Sequence, residues 1–270
     1  GGGFGGFDVE DLGTNDAVQV INGPGGEIRY IVFNFSTQPY GASTAEADEA
    51  KALAVRQSVA DLIDRQAISE QVYKGTYTPL YSYVPEGFAG ATEALKGLYG
   101  DGDGGPDAAK AKQRLEDAGV TTPVKLSLQY SPDHYGPSSG DEYAMIESQL
   151  EKDGLFDVDL KSTEWVQYSK DRTADVYPAY QLGWFPDYSD ADNYLTPFFL
   201  TENFLGNHFY LHRLNSNSFL GSYDLCRFCS SFLGSFLASC GQHRHYDSFL
   251  IGFGLRRLNG NFFDVASLRQ

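Results

Sequence analysis

Between residues 180 and 194 the chain reads Y-Q-L-G-W-F-P-D-Y-S-D-A-D-N-Y, an apolar run that delivers aromatic rings and three carboxylates to one turn. Trp184, Phe185, Tyr188 and Tyr194 are expected to wall a cavity there, with Asp187, Asp190 and Asp192 supplying charge. A carboxylate held among aromatic faces loses water, so its charge is worth most to a cationic group that arrives with a ligand. The pattern predicts a site for an amine. Asp187, directly after Phe185-Pro186, is its first candidate, flanked by Trp184 and Tyr188. Against this stand two ordinary roles: an Asp in a turn often caps the loop at the surface, and a Trp as readily fills a core.

Other chemistry is less well supported by spacing. Asp187, Asp190, Asp192 and Asn193, or Asp101 with Asp103, could form an oxygen-rich calcium loop, but neither shows the twelve-residue ligand pattern with a closing Glu. Nothing in the sequence sets two carboxylates at the separation of about 5–10 Å that glycoside hydrolysis needs. Cys226-x-x-Cys229 followed by Cys240-x-x-His243-x-His245 supplies enough soft ligands for tetrahedral zinc, though the short His-x-His spacing differs from common zinc modules. His134, in S-P-D-H-Y-G, reads as a lone solvated loop histidine, and Ser138-Ser139-Gly140 lacks the Gly-x-Ser-x-Gly frame of a nucleophile elbow.

The acidic turn needs elements that position it. Residues 28–35 form a short β-branched and aromatic run after the turn-forming N-G-P-G-G, which predicts a buried strand. Residues 45–73 predict one helix, with Leu53, Val59, Leu62 and Ile63 on one face and Gly75 as its stop. Residues 71–85 carry four Tyr and two Pro and predict a loop or edge strand whose tyrosines could reach a ligand. Pro106 fits the first position of a helix over 107–118 closed by Gly119. Val124, Leu126, Leu128 and Tyr130 alternate as a strand; Ser139-Gly140-Asp141-Glu142 matches a capping box; Phe156, Val158 and Leu160 alternate again. Strand, helix and strand make a βαβ unit with parallel strands. A short helix over 165–172 and a strand over 176–184 then bring the Asp187 loop beyond the carboxyl end of a strand, where open α/β sheets bind ligands.

Four ordered segments carry a family resemblance. G-W-F-P-D-Y-S-D-A-D-N at 183–193 is similar to the ligand-binding segment of the extracytoplasmic solute-binding proteins of peptide and nickel ABC transporters. R-Y-I-V-F-N-F at 29–35, V-R-Q-S-V-A-D-L-I-D-R-Q-A-I at 55–68 and V-Y-K-G-T-Y-T-P-L-Y-S-Y-V-P at 72–85 resemble further signatures of that family, in the same order. The resemblance runs from about residue 20 to 208. It implies an α/β fold, the second lobe and part of the return segment of a periplasmic-binding-protein-like two-lobe protein. It also implies capture of extracytoplasmic peptides by hinge closure and delivery to the permease subunits of an ABC transporter, with no bond chemistry and no cofactor. In that family's pattern Asp187 takes the position of the carboxylate that pairs with a peptide's α-ammonium, Trp184 and Tyr188 flank the ligand, and Gln181 stands where some oligopeptide-binding relatives carry an Arg for the ligand's carboxylate. An amide can only hydrogen-bond that group. The lipid anchor that Gram-positive relatives use would belong to the intact parent. The competing reading is an extracytoplasmic hydrolase or carbohydrate-binding protein built on the aromatic and acidic residues of 184–194.

Composition narrows the classes. A formal charge of −16 over 270 residues argues against nucleic acid as a partner, because phosphate binding needs clustered Lys and Arg. It fits a partner or ligand that is cationic or zwitterionic. No apolar run approaches the roughly 18–20 residues of a membrane-spanning helix, and no basic, then apolar, signal segment is present. Residues 1–19 therefore predict a Gly-rich internal start, and 20–208 the C-terminal part of a solute-binding domain. Residues 211–270 use another vocabulary: all three Cys, ten Leu, nine Ser and eight Phe, with no Lys, Glu, Pro or Thr. Six Arg against three Asp give this tail +3, leaving −19 on residues 1–210. Ordinary domains use Glu and Lys freely, so the expectation is an aberrant tail read out of frame after about residue 208.

Overall fold

The computed structural model describes residues 25–199, the isolated positions 12, 14, 17 and 19, and the backbone of 256–258 and 261–263. The Gly-rich start and the cysteine and histidine cluster of the tail lie outside the described residues. Chain order is β1 (Ile28–Phe33), α1 (Glu49–Leu62), α2 (Arg65–Ala67) running into a π turn (Ile68–Val72), α3 (Ala108–Asp117), β2 (Val124–Tyr130), α4 (Ser139–Glu151), β3 (Phe156–Ser162), α5 (Trp165–Thr173), β4 (Ala179–Trp184) and α6 (Ala191–Phe199). Two short strands, β5 (Arg256–Leu258) and β6 (Asn261–Phe263), pair antiparallel with each other.

Four strands form a mixed sheet in the order β1-β4-β2-β3. β2 and β3 run parallel with Val124 opposite Phe156, as the alternating pattern on either side of α4 predicts. β4 lies parallel to β2, and β1 closes the other edge antiparallel to β4, with Ile28 opposite Trp184. The carboxyl ends of β2 and β4 and the amino end of β1 therefore meet at one end of the sheet.

Both faces of the sheet are covered, which is why its strands carry apolar residues on each side. Leu126, Leu128, Val158, Tyr143, Ile146 and Leu150 pack between the sheet and α4, with Val55 of α1 and Leu115 of α3 in the same core. Val32, Tyr180 and Leu182 pack on the opposite face against Tyr168, Tyr177 and Phe198. Each fully buried Leu contributes about 1.5–3 kcal/mol, so this double cover dominates the stability of the unit.

Several boundaries differ from the sequence reading, each for a local reason. The expected helix over 45–73 breaks after Leu62, because Asp64 caps a second start by accepting the N–H of Ala67 at 2.9 Å. Pro106 precedes the helix instead of opening it: Asp107 is the N-cap and accepts from Lys110 N at 2.9 Å. Gly119, at φ +68, ends α3 as expected, with Val120 N–H returning to Leu115 O at 2.8 Å. The capping box of Ser139 and Glu142 does not form; Glu142 instead accepts from the Tyr73 hydroxyl at 2.7 Å. β4 starts at Ala179, not 176, because Asp175 at φ +58 and the Val176 N–H to Asp171 O bond close the end of α5. The Gly-rich joint at 100–105 is tied by protein donors: Asp61, buried, accepts from Gly100 N at 2.8 Å and Arg114 Nε at 2.6 Å, and Asp101 accepts from Asp103 N at 2.7 Å and Gly105 N at 3.0 Å.

Candidate functional site

The turn after β4 is built by the first residues of α6, a helix for which the sequence reading made no assignment. Asp190 accepts the N–H of Asp192 at 2.9 Å and so caps the helix start. Asp192 accepts from the Tyr188 hydroxyl at 2.8 Å and from the Thr196 hydroxyl one turn on. The Asp192 carboxylate raises the Tyr188 hydroxyl's pKa above its usual value by holding its proton. Asn193, 4% exposed, turns its side-chain oxygen back under the loop and accepts from Trp184 Nε1 at 2.9 Å and Asp187 N at 3.2 Å.

Two of the three carboxylates are thus occupied by protein donors. Asp187 is the exception: it is exposed, and its side chain makes no hydrogen bond or ion pair among the described residues. This differs from the enclosed carboxylate expected from sequence. Phe185 and Tyr188 stand outward, 46% and 53% exposed, while Tyr194 is drawn wholly into the core by donating to Gly26 O at 2.6 Å. Tyr194 therefore supports the turn from below and does not wall a cavity. Trp184 is half-buried, edge-on to Phe198 at 5.0 Å between ring centres.

Gln181 is 1% exposed, and both ends of its amide are engaged inside the protein. Its oxygen accepts from Ser131 N at 3.1 Å, and its nitrogen donates to Ser139 Oγ at 3.3 Å. Contact with a ligand would require exchanging those bonds. In this arrangement Gln181 ties β4 to the loop that follows β2.

That loop brings residues the sequence reading missed. His134 lies flat on Trp165, 3.5 Å between ring centres at 5°, and stands edge-on to Phe185 at 6.3 Å. Tyr135, buried, is parallel to Phe185 at 6.4 Å and edge-on to Trp165 at 5.6 Å. His134 is exposed, as expected for a loop histidine, but it is not alone: it is part of an aromatic shelf. Asp133 pins the shelf by accepting from Ser131 Oγ at 2.8 Å and from Trp165 N at 3.0 Å at the start of α5. Those donors, Ser131 first, hold its carboxyl below the usual carboxylate range. Burial lowers the His134 pKa, which favours the neutral ring at pH 7, and only partly does Asp133 oppose this. Burial pushes the Tyr135 hydroxyl up to about 12. The signal for these residues lay in topology: S-P-D-H-Y-G follows the carboxyl end of a parallel strand beside the Asp187 strand.

A second polar cluster sits at the amino end of β1. Arg29 donates Nε to Glu27 at 2.7 Å, Nη1 to the Tyr73 hydroxyl at 2.8 Å and Nη2 to the Tyr77 hydroxyl at 2.9 Å. The Tyr73 hydroxyl in turn donates to Glu142 at 2.7 Å. Burial alone would lower the Arg29 pKa, but the oxygens of Tyr73, Glu27 and Tyr77 outweigh it and hold the cation charged. Burial raises the Glu142 carboxyl above the usual range, and the Tyr73 hydrogen bond and Arg29 only partly offset it. Among the described residues no group of three or more His, Cys, Asp or Glu is placed to hold a metal, and no helix is long and apolar enough to cross a membrane.

The profile of the bacterial extracellular solute-binding proteins, family 5 middle region, matches residues 4–206, three quarters of the chain. The chain belongs to this family. Di/tripeptide-binding protein 3 of Pseudomonas aeruginosa, a family relative, is 27% identical over 202 residues, covering 74% of this chain and 35% of that protein. Heme-binding protein A of Haemophilus influenzae is also 27% identical, over 214 residues, covering 78% of this chain and 36% of its own. The fold is that of the dipeptide-binding protein of Pseudoalteromonas sp. SM9913 solved with Met-Leu, at a TM-score of 0.61 and 21% identity over 87% of this chain and 45% of that one. The chain thus spans about a third of the length of the curated family 5 relatives it matches.

Proposed function

We propose that this chain contributes the second lobe of the substrate-binding component of an ABC transporter that captures peptides outside the cytoplasm for import. The observation that carries the reading is the unengaged Asp187 carboxylate, exposed beyond the carboxyl end of β4 while Asp190 and Asp192 each accept hydrogen bonds from the protein. A peptide α-ammonium supplies the three donors such a carboxylate lacks, as a charge-assisted pair. Tyr188, Phe185 and Trp184, with His134 and Trp165 beside them, offer ring faces to the peptide's side chains. Gln181 acts from behind, holding the shelf to β4. Residues 20–208 are the solute-binding part in this reading. The ligand in this reading is a peptide, and the protein partners are permease subunits.

The names of the relatives support a peptide, with haem as the ligand that one of them is named for. Calorimetric titration of a family-length protein carrying this segment, against a peptide library and against haem, tests the choice. The expected result is binding of peptides with a free amine, with N-acetylated peptides at least about tenfold weaker. Mass analysis should return the bound peptides uncut. Equal affinity for acetylated and free peptides overturns the role of Asp187, and cleavage of the peptide overturns the assignment to binding.

A further inference from the structure

The side chain of Asn193 receives two donors on one atom. Its oxygen lies 2.9 Å from the Trp184 indole nitrogen and 3.2 Å from the Asp187 backbone nitrogen, and both of those groups can only donate. The amide must therefore present oxygen, not nitrogen, to them, and both lone pairs are used. Asn193 itself is fixed at the start of α6 by its own N–H to Asp190 O at 3.2 Å.

We propose that Asn193 is the positioning residue of the Asp187 site, clamping the indole of Trp184 and the backbone of Asp187 as one unit so that the carboxylate faces outward before any ligand arrives. This rests on the reading of Asp187 as an ammonium site. Other bonds in the loop join Tyr188, Asp190 and Asp192, but the bond to Asn193 is the one on the Asp187 backbone N–H, and the Asp187 side chain itself makes no bond among the described residues. From the other side Gly26 packs directly on Pro186: a methyl group there would stand 2.8 Å from Pro186 Cγ and 2.9 Å from the Tyr194 hydroxyl. The turn is held between these two contacts, and a preorganised carboxylate does not spend binding free energy on ordering the loop.

The experiment is hydrogen exchange by NMR on the 15N-labelled 270-residue chain, whose two tryptophans give two indole signals, with peptide titration of a family-length protein carrying the same substitutions. Asn193→Leu keeps the size but removes the acceptor; Asn193→Asp keeps it. The expected result is exchange of the Trp184 indole at least about tenfold faster in Asn193→Leu, with Trp165 and the amides of β2 unchanged, and near-native exchange in Asn193→Asp. The preference for Ala-Leu over N-acetyl-Ala-Leu should fall toward unity in Asn193→Leu and be retained in Asn193→Asp. Were Asn193→Leu not to fold, Asn193→Ser, too short to reach both donors, replaces it with the same expected acceleration. Unchanged Trp184 exchange, or an unchanged peptide preference in the variants without the acceptor, overturns the proposal. If the unaltered family-length protein shows no preference between the two peptides, the ammonium reading of Asp187 fails, and the indole exchange alone still decides whether Asn193 is the clamp.

Discussion

Two polar regions share one end of the sheet and are built in opposite ways. Around Arg29 every strong group has a protein partner: Glu27, Tyr73 and Tyr77 accept hydrogen bonds from the guanidinium, and Glu142 accepts one from the Tyr73 hydroxyl. Around Asp187 the backbone is clamped and each neighbouring carboxylate accepts a protein hydrogen bond, but the Asp187 side chain is left over. A charge that is buried and paired rigidifies the structure that holds it, whereas a charge held in place without a partner retains its interaction for something else. The difference separates architecture from site more clearly than residue type does, since both regions are rich in Tyr and acids.

The largest test removes the cation of the closed cluster. Arg29→Met leaves Glu27 and the Tyr73–Glu142 pair without their cation and should lower unfolding stability by about 3 kcal/mol, read by urea denaturation. A loss below about 1 kcal/mol would show that the cluster is solvated and that the contrast with Asp187 is false.

Next is the open region. Asp187→Asn in a family-length protein should weaken binding of a free-amine peptide by about 1.5–3 kcal/mol while changing stability by no more than about 0.5 kcal/mol. A stability loss equal to that of Arg29→Met would make Asp187 structural. Gly26→Ala sharpens the same point, because its methyl group must displace Pro186 or Tyr194. About 1 kcal/mol of destabilisation is expected, with a parallel loss of peptide affinity, measured by thermal unfolding and calorimetry.

The smallest effect is in pH, and the two regions should pull in opposite directions. Glu142 has a folded-state pKa raised by burial, so its contribution is full below the unfolded carboxylate value and is lost as pH rises through the folded one. His134 has a lowered pKa, so its contribution is present above the unfolded value of 6.5 and is lost as pH falls through the folded one. Glu142→Gln should therefore flatten the alkaline side of the Glu142 transition, and His134→Phe the acid slope below about pH 6.5, in unfolding measured across pH 4–8. Because His134 is exposed, its slope should be the shallower of the two.

Local pattern made the βαβ unit legible. The alternation in 124–130 and 156–162 and the helical spacing between them predict β2, α4 and β3, because each depends on side chains a few residues apart. The stop at Gly119 is of the same kind, a left-handed residue that ends a helix wherever it stands. Where two local signals competed, the tertiary partner decided: Glu142 left its capping box for Tyr73, 69 residues away, and the helix over 45–73 split where Asp64 could satisfy a new first turn. In the site, the sequence by itself determined that aromatic and acidic residues follow β4, since they are contiguous. Which carboxylate remains unengaged, which aromatic ring sinks into the core and which histidine joins the shelf were decided only by the tertiary structure. Tyr194 is buried because Gly26 O lies within its reach across 168 residues of sequence, and His134 stacks on Trp165 because parallel pairing of β2 with β3 brings the loop after one strand to the helix after the other. Such contacts depend on strand order and register, and neither is written in the spacing of neighbouring residues.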